Sequence, residues 1–466
     1  ITGVGGGMIN NGSSPRIENC TFVNNWASNG TIGKGGAMYN GAGSNPLVIN
    51  CKFFFNSTSG SSYAFGGAIA NDISAPIIKR CTFDGNSVSS VVSPAGGAMY
   101  SAGGSNILIE NSLFVNNTGS AIVSDNNTHN INACTFTKNS GTSGTPGGLF
   151  LLGPNNATYI TNTNIYGNTN GSLININCTP SVFYCNVEGS GGQASWNAAY
   201  GINGGGNQDE NPRFTADYKL GICSPSINSA DGSSLASTID LAGNPRKIGL
   251  MDNGCFESQT TPPSYGSVVF VNTQATGANN GTSWTDAFTD LQSALDLTCH
   301  NITEIWVSKG TYYPSKSPGN YLTNDVFATF QMRNNLVIYG GFSVADGHIN
   351  FPQRSPELYT TILSGDIQKD GVKTNNVYNV INNYGTNLNN TAVIDGITVS
   401  DAYNTFPTGG SGITWGAGVI NVGSSPKFVN CIFRENTNAS FSEAFGGGMY
   451  NKDCSPEIIN CKFINN

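Results

Sequence analysis

The stretch SPRIENCTFVNN (residues 14–25) recurs through the chain and decides its fold. The other copies are SPKFVNCIFREN (425–436), SPEIINCKFINN (455–466), NPLVINCKFFFN (45–56), APIIKRCTFDGN (75–86) and SNILIENSLFVNN (105–117). A second motif, GGAMYN at 35–40, precedes the copies and returns at 446–451, 66–71 and 96–101. Neighbouring motif cysteines are 30 or 31 residues apart. Repeats of this length with short strands and many turn residues are typical of a parallel β-helix, in which each repeat forms one coil.

The residue types within one repeat predict which side chains face inward. Cys20 and Phe22 are two apart, so they share the inner face of a strand, whereas Thr21 faces outward, as do Lys52 and Thr135 in their copies. Stacked coils therefore align a cysteine column beside a phenylalanine column. The predicted core ladder is Cys431, Cys461, Cys20, Cys51, Cys81, Phe433, Phe463, Phe22, Phe53 and Phe83.

Asparagines recur at two places in each repeat. One, such as Asn19, directly precedes the cysteine, and we expect it at a turn because Asn tolerates the left-handed conformation. The other, such as Asn25, lies five residues after the cysteine. Both columns predict ladders of side-chain hydrogen bonds between successive coils.

The composition agrees with an all-β chain. Of 466 residues, 60 are Gly and only 10% are charged, which disfavours a helical protein. We predict a right-handed, single-stranded parallel β-helix of about a dozen coils, with one short amphipathic helix near 286–297. The net charge of −8 argues against a nucleic-acid partner, and no apolar run is long enough for a membrane span.

The order of the segments predicts a permuted domain. Residues 1–206 would be the C-terminal coils of a β-helix, 207–264 its closing cap and a linker, 265–313 the opening cap of the next β-helix, and 314–466 that domain's N-terminal coils. We expect the true N-terminus to lie before residue 1, because residue 1 falls inside a repeat. The coil at 466 would then continue in stacking with residue 1 of a next copy, either covalently in a longer polypeptide or by contact between chains. An arbitrary fragment that forms no polymer is the third interpretation.

Several stretches resemble one known group of proteins. The opening stretch at 265–313, SGDI at 364–367, the GGAMYN and NCTF coils and DLAGNPRKIG at 240–249 resemble exported right-handed β-helix proteins of bacteria. That group includes the polymorphic outer membrane protein repeats, within the pectate-lyase-like superfamily. The resemblance covers nearly the whole chain and implies an extracellular or cell-surface location. It does not imply one activity, because this fold serves lyases, adhesins and passive stalks.

The functional prediction is a structural module of an extracellular fibre or adhesin, not an enzyme. Its partners would be copies of itself, joined end to end, with surface glycans as a second class of partner. No cofactor and no metal ion are expected, since the three histidines have no second ligand at metal-binding spacing. The predicted assembly edge comprises Ile1, Gly5, Gly6, Met8, Asn10, Gly446, Met449, Cys461, Phe463 and Asn466.

A polysaccharide lyase or hydrolase is the alternative function. Such chemistry needs carboxylates gathered on one outer face, and the candidates are Asp366, Asp395 and Asp401. Each is also explained as a turn residue or an outward polar residue of a coil.

Cysteines outside the ladder are candidates for disulfides. We expect the ladder cysteines to be free thiols, because parallel stacking keeps Cβ atoms farther apart than a disulfide allows. The predicted bridges are Cys223 with Cys255 and Cys178 with Cys185, which would suit an oxidising exterior.

Overall fold

The computed structural model describes residues 2–28, 30–90, 92–104, 106–142, 144–233, 237–259, 263–316, 326–405, 413–439 and 443–466. The chain divides into two compact units, Ile1–Thr261 and Pro262–Asn466. Strands in both units pair in parallel with the strands one repeat away, so each unit is a parallel β-helix, as the repeats predict. None of the helices in the described ranges has the length and apolarity needed to cross a lipid bilayer.

Five parallel sheets build the described part of the first unit. The chain visits all five in turn in the coils up to residue 102, and only sheets 2, 3 and 4 in the coils that follow. Sheet 1 contains Thr2–Val4, Ile32–Lys34, Tyr63–Phe65 and Ser93–Ala95. Sheet 2 contains Met8–Asn11, Met38–Gly41, Ile69–Asp72, Met99–Ala102, Ile122–Asp125, Leu149–Leu152 and Leu173–Ile176. Sheet 3 contains Arg16–Glu18, Leu47–Ile49, Ile77–Lys79, Asn106–Glu110, Thr128–Asn132, Tyr159–Thr161, Ser181–Phe183 and Ile202–Asn203. Sheet 4 contains Thr21–Val23, Lys52–Phe54, Thr82–Asp84, Leu113–Val115, Thr135–Thr137, Asn164–Ile165 and Asn186–Val187. Sheet 5 contains Trp26–Ser28, Ser57–Gly60 and Ser87–Ser90.

The second unit repeats this arrangement. Its longest sheet contains Val268–Val271, Glu304–Ser308, Leu336–Phe342, Ala392–Asp395, Lys427–Val429 and Glu457–Ile459. The next contains Gly310–Tyr312, Thr361–Ser364, Ile397–Ser400, Ile432–Arg434 and Lys462–Ile464. Three smaller sheets contain Ile381–Tyr384, Val419–Val422 and Met449–Lys452; Tyr403–Asn404 and Thr437–Asn438; and Ile413–Trp415 and Glu443–Phe445.

Left-handed residues form the corners between strands. Asn19 has a φ of 56°, and it ends one strand two residues before the next begins at Thr21. Asn24 closes that second strand with a φ of 54°. Asn, which adopts this conformation at low cost, recurs at the corner before the cysteine, as at Asn50, Asn111, Asn430 and Asn460. The predicted turn role of these asparagines is confirmed.

The inward columns form as predicted. Phe53, Phe83 and Phe114 are fully buried, and their rings stack face to face with centroids 4.6–4.7 Å apart. The ring spacing equals the distance between paired strands, so the parallel ladder itself aligns the column. Cys51 and Cys81 fill the space beside it as buried free thiols, as do Cys134 and Cys431.

The second asparagine column forms a buried hydrogen-bond ladder. The Nδ2 of Asn86 donates to Oδ1 of Asn117 at 2.9 Å, and the Nδ2 of Asn117 donates to Oδ1 of Asn139 at 2.8 Å. The second N–H of each carboxamide reaches a backbone carbonyl, that of Phe83 in the case of Asn117. Each asparagine between the two ends of the ladder therefore has hydrogen-bond partners for its side-chain N–H groups and its oxygen, which removes the cost of burying an amide.

The short helix that the sequence predicts near 286–297 covers the beginning of the second unit. Its observed bounds are narrower than the predicted ones. Helix α1 spans Leu291–Leu295, and the side chain of Asp290 caps it by accepting from the N–H of Ser293 at 2.8 Å. Leu291 and Leu295 are buried, and the helix packs on the first strand, Val268–Val271. Because the helix covers this strand, the first coil is closed at that side. Two other short helices in this unit are 3₁₀ turns, Phe351–Gln353 and Lys373–Asn375.

The last coil of the first unit is covered by a loop. The 3₁₀ turn Ala198–Tyr200 places Tyr200 and Trp196 against the end of the hydrophobic core. Trp196 donates through Nε1 to the carbonyl of Gly201 at 2.9 Å, which satisfies its polar atom.

A nonrepetitive segment, here called the strap (209–233 and 237–259), lies along the outer face of sheet 4. Its Cys255 packs on Leu113 and Val115, and its backbone N–H donates to the hydroxyl of Thr135 at 3.1 Å. Thr135 is outward-facing as predicted, yet it is only 1% exposed because the strap covers it. Residues 207–264 were expected to close the end of the solenoid, whereas the described part also covers its side.

Candidate functional site

The candidate site is a pair of edge coils, one in each unit. The leading edge coil (residues 2–28) contains the outermost strand of each sheet of the first unit, and each of these strands pairs on one side only. The trailing edge coil (residues 443–466) holds the corresponding position in the second unit, with strands 443–445, 449–452, 457–459 and 462–464. Ile1 lies outside the described residues. An unpaired parallel edge can accept another strand in register.

Both edge coils expose side chains that are buried elsewhere in the ladder. Phe463 is 50% exposed, although its ring stacks on Phe433 with centroids 4.7 Å apart. At the leading edge, Phe22 stacks on Phe53 at 4.9 Å and is only partly buried. Other apolar side chains on the two coils are also exposed: Ile9, Val23, Trp26, Phe445, Ile458, Ile459 and Ile464.

The two coils carry identical motif spacing. Met8 lies twelve residues before Cys20, and Met449 lies twelve before Cys461. Asn10 and Asn451 both lie ten residues before their cysteines, and Asn25 and Asn466 both lie five after. A trailing coil paired with a leading coil in the strand register found inside each unit would therefore align every column.

Hydrogen-bonding groups at the two edges are complementary. Asn451 accepts from Asn421 at 2.8 Å, and within the described residues its own Nδ2 has no acceptor. Asn10 donates to Asn40 at 2.8 Å, and its Oδ1 has no donor among the described residues. The column therefore ends in a donor at the trailing edge and in an acceptor at the leading edge.

The buried ladder ends in the same way. Asn466 accepts from Asn436 at 2.9 Å and donates one N–H to the carbonyl of Phe433. Asn25 donates to Oδ1 of Asn56 at 2.8 Å, which leaves its own Oδ1 facing outward along the column.

Charged groups at the edges also match. Lys427 pairs with Glu457 at 2.9 Å along one outer column, and hydrogen bonds from Asn390 and Lys427 lower the pKa of Glu457. The next position of this column, at the other edge, is Arg16, whose only described partner is Glu18 of its own strand at 2.6 Å. A joined column would read Lys, Glu, Arg.

Two edge glycines have conformational reasons to be glycine. Gly446 has a φ of 66°, and Gly5, at the equivalent position, has a φ of 58°. A Cβ on Gly6 would meet the carbonyl oxygen of Gly36 at 2.3 Å. The predicted edge glycines therefore allow the close approach of successive coils.

The cysteine column also reaches both edges. Cys20 is an exposed free thiol, and Cys461 is a partly buried one. A hydrogen bond with Cys431 lowers the pKa of Cys461 to about 7. At the buried positions of this column, such as Cys431, cysteine acts as a small apolar filler within the coil.

The three candidate carboxylates do not form one cluster. Asp395 pairs with Arg354 at 2.6 Å, with both side chains mostly buried, and also accepts from Asn430. Asp366 accepts backbone N–H bonds from Asp370 and Gly371, which is the geometry of a turn.

Asp401, with a φ of 64°, accepts from the hydroxyls of Ser364 and Ser400. Asp366 and Asp401 both act on Tyr313, whose pKa is raised by burial and by these two charges. Asp395 binds Arg354 instead, and among the described residues the three carboxylates do not come together as a group within 4.8 Å of one another.

The predicted disulfides are wrong. Cys255 is a free thiol buried under the strap, and Cys223 is disulfide-bonded to a different cysteine. Cys178 and Cys185 are both free. Cys185 is a fully buried member of the inward column, where its Sγ bonds to the carbonyl of Phe183, so it is not available to Cys178.

Sequence reasoning missed the strap, although a signal was present. The outward position directly after the cysteine is polar at Thr21, Lys52 and Thr82 but apolar at Leu113. An outward strand face that becomes apolar indicates that something covers it.

Comparison with known proteins adds little to this geometry. No protein-family model and no curated protein matches the chain. One similar solved structure is a mutant of the PL6-family alginate lyase AlyGC, with 8% sequence identity over 97% of this chain and 77% of that chain, and a TM-score of 0.19. At that TM-score the likeness carries no argument about function.

Proposed function

We propose that this protein is a structural module of an extracellular fibre or adhesin, in which the trailing edge coil stacks in register on the leading edge coil of a next copy. The observation that carries the proposal is the match of the two edges in motif spacing, hydrogen-bonding groups and charge. The joint is either a contact between chains or a continuation within a longer polypeptide. The relation to the polymorphic outer membrane protein repeats and the bacterial origin belong to the same proposal.

The register of the joint follows from the strand pairs inside each unit. Lys427 pairs with Glu457 and Arg16 pairs with Leu47, so Glu457 would oppose Arg16. By the same rule Phe463 would oppose Phe22, which continues the stack of rings. Each new strand pair adds backbone hydrogen bonds of the kind that give β-augmentation its affinity.

Apolar burial would supply much of the driving force. Phe463, Ile9 and Val23 are each about half exposed, and covering half of such a side chain contributes about 1 kcal/mol. Several such contacts and a complete set of backbone hydrogen bonds between the two edge coils are needed, because association itself costs roughly 4–15 kcal/mol.

Charge would set the polarity of the joint more than its strength. An exposed ion pair contributes about 0.2–1 kcal/mol. Like charges in contact are more costly, so Glu457 facing Arg16 would favour the head-to-tail arrangement over misaligned ones. Contacts of this kind repeat without closing and therefore build a filament.

The alternative function is a polysaccharide lyase or hydrolase of this fold. The three candidate carboxylates do not gather as one group within 4.8 Å among the described residues, which gives this alternative less support. Incubation with acidic polysaccharides, followed by absorbance of unsaturated products, tests it. Appearance of those products, and their loss on an Asp366→Asn and Asp401→Asn double substitution, would support the lyase instead of the fibre.

Sedimentation of an Arg16→Glu variant tests the fibre. We expect the wild-type protein to form larger species as its concentration rises. Arg16→Glu should weaken this association, because the substituted side chain would face the like charge of Glu457 across the joint.

Two further variants serve as controls. Arg16→Lys should associate like the wild type, and so should Lys247→Glu, which changes an exposed charge on the strap. A wild type that stays monomeric at high concentration contradicts a joint between separate chains, and equal association of all variants contradicts the proposed register.

A further inference from the structure

The cysteine column has a direction along the solenoid. The Sγ of Cys51 bonds to the carbonyl of Ile17 in the preceding coil at 3.6 Å, and the Sγ of Cys461 bonds in the same way to Phe428 at 3.6 Å. The same bond to the preceding coil is made by Cys81, Cys134, Cys185 and Cys431. Each of these thiols is therefore directed toward the coil that comes before it in the chain.

Cys20 has no described coil before it. Its Sγ bonds to the carbonyl of Glu18 in its own strand at 3.3 Å, whereas Cys51 bonds both to its own strand, at Ile49, and to the preceding coil. Cys20 is exposed, so its sulfur faces the open side of the leading edge coil. In the proposed joint the carbonyl of Ile458, three residues before Cys461, would be the second acceptor.

The joint has room for a thiol but not for a larger group. In the interior of the column Cys51 is 1% exposed and Cys81 is 0% exposed, so the next coil covers each sulfur completely. Paired strands lie only about 4.8 Å apart. A group attached to the sulfur of Cys20 would occupy the space that the strand of Ile458 needs. It would also separate Phe22, two residues further on, from the ring that is to stack on it.

Exposure distinguishes Cys20 from the other described free thiols of the first unit. Those of Cys51, Cys81, Cys134, Cys185 and Cys255 are buried, and that of Cys178 is half-buried. Thiol–disulfide exchange requires that the disulfide reach the sulfur. A disulfide in solution therefore has its best access, within this unit, to the thiol that lies in the joint.

We propose that Cys20 is a redox-controlled modification site, at which a small disulfide of the glutathione disulfide class caps the leading edge coil and blocks end-to-end stacking. The inference rests on the proposed joint between separate chains and names a regulation of it. The Cys20 thiolate attacks one sulfur of the disulfide, a new S–S bond forms and the old S–S bond breaks. The leaving thiolate takes up the proton that Cys20 has lost, so no further oxidant is needed. A thiol reductant reverses the step.

Mass spectrometry and sedimentation velocity of the protein treated with glutathione disulfide test the proposal together. We expect a glutathione adduct on Cys20. The modified protein should stay monomeric at a concentration at which the untreated protein forms larger species. Dithiothreitol should remove the adduct and restore those species.

The two measurements separate failure of this inference from failure of the joint. No adduct on Cys20, or unchanged association of the protein that carries it, overturns the inference. Untreated protein that never associates overturns the proposed joint, and with it the regulation. The adduct is detected by mass whether or not the protein associates.

Two substitutions assign the effect to one sulfur. Cys20→Ser removes the modifiable atom and introduces a side chain that the column already contains, fully buried, at Ser112. Its association should be equal with and without glutathione disulfide. Cys178→Ser, at a half-buried thiol outside the edge coils, is the control and should respond to the reagent like the wild type. A Cys20→Ser variant that still responds overturns the assignment to Cys20.

Discussion

Replacement of Asn117 by alanine tests whether the buried amide ladder stabilises the coils. The Asn117 side chain is fully buried and makes four hydrogen bonds. Its Oδ1 accepts from the N–H and the Nδ2 of Asn86, and its Nδ2 donates to Oδ1 of Asn139 and the carbonyl of Phe83. Each bond contributes about 1 kcal/mol, and Asn86 is left with two buried N–H groups without their acceptor, on its backbone and on Nδ2, which costs at least about 1 kcal/mol more. We therefore expect Asn117→Ala to cost about 5 kcal/mol.

Native-state hydrogen exchange is the suitable assay, because a solenoid can open locally and one global unfolding transition would hide the effect. Amides in coils 83–139 should exchange faster by an amount that corresponds to most of this cost. Asn106→Ala, at an exposed asparagine in the same region, is the control and should change the opening free energy by less than about 0.5 kcal/mol. If Asn117→Ala changes it no more than the control does, the ladder does not stabilise the fold.

Three further predictions concern the core column, a buried histidine and the strap. Phe83→Ala should lower the free energy of unfolding by about 3–5 kcal/mol, because it leaves a cavity between two stacked rings. The Phe463 side chain is half exposed, so Phe463→Ala should cost less than half of that in the monomer. Equal effects of the two substitutions in denaturant unfolding would contradict the edge assignment. His129 is fully buried, its ring nitrogens have no hydrogen-bond partner among the described residues, and burial lowers its pKa to about 4. The unfolded chain, with a pKa near 6.5, therefore takes up a proton that the folded chain does not, so stability should fall by about 3 kcal/mol as the pH drops from 6.5 to 4, and His129→Leu should remove that dependence; a wild-type stability that is flat across this range would refute it. Arg246, 2% exposed, donates through Nη2 to the carbonyls of Asp252 and Gly254, so Arg246→Met should accelerate amide exchange in residues 240–259 and leave the inward columns protected; protection of the strap in the variant is the opposing result.

The repetitive part of the fold can be predicted from the sequence because the residues of each repeat determine the geometry of its own coil. The Asn19 corner and the inward pair Cys20 and Phe22 depend on backbone preferences and strand period, which are local properties. Repetition then aligns each column without any further information.

The nonrepetitive parts of the fold cannot be predicted from local sequence patterns in this way. Asp395 binds Arg354, which is 41 residues away in the sequence. No repeated spacing predicts this contact. The path of the strap depends on which outer face is apolar, and the pairing of Cys223 depends on that path.

The sequence also indicated the edges more clearly than the carboxylates. Met8 and Met449 share one motif position, so their equivalence is visible in an alignment of the repeats. The three candidate carboxylates, Asp366, Asp395 and Asp401, share no position in the repeat. Only the structure shows that they bind different partners.

Electron cryomicroscopy of the concentrated protein tests the central claim most directly. The account predicts filaments in which the strand spacing of about 4.8 Å continues across each joint, with the ring of Phe463 stacked on Phe22 of the next copy and Glu457 beside Arg16. Single particles in which residues 2–28 and 443–466 both face solvent, or filaments joined through other surfaces, would contradict it.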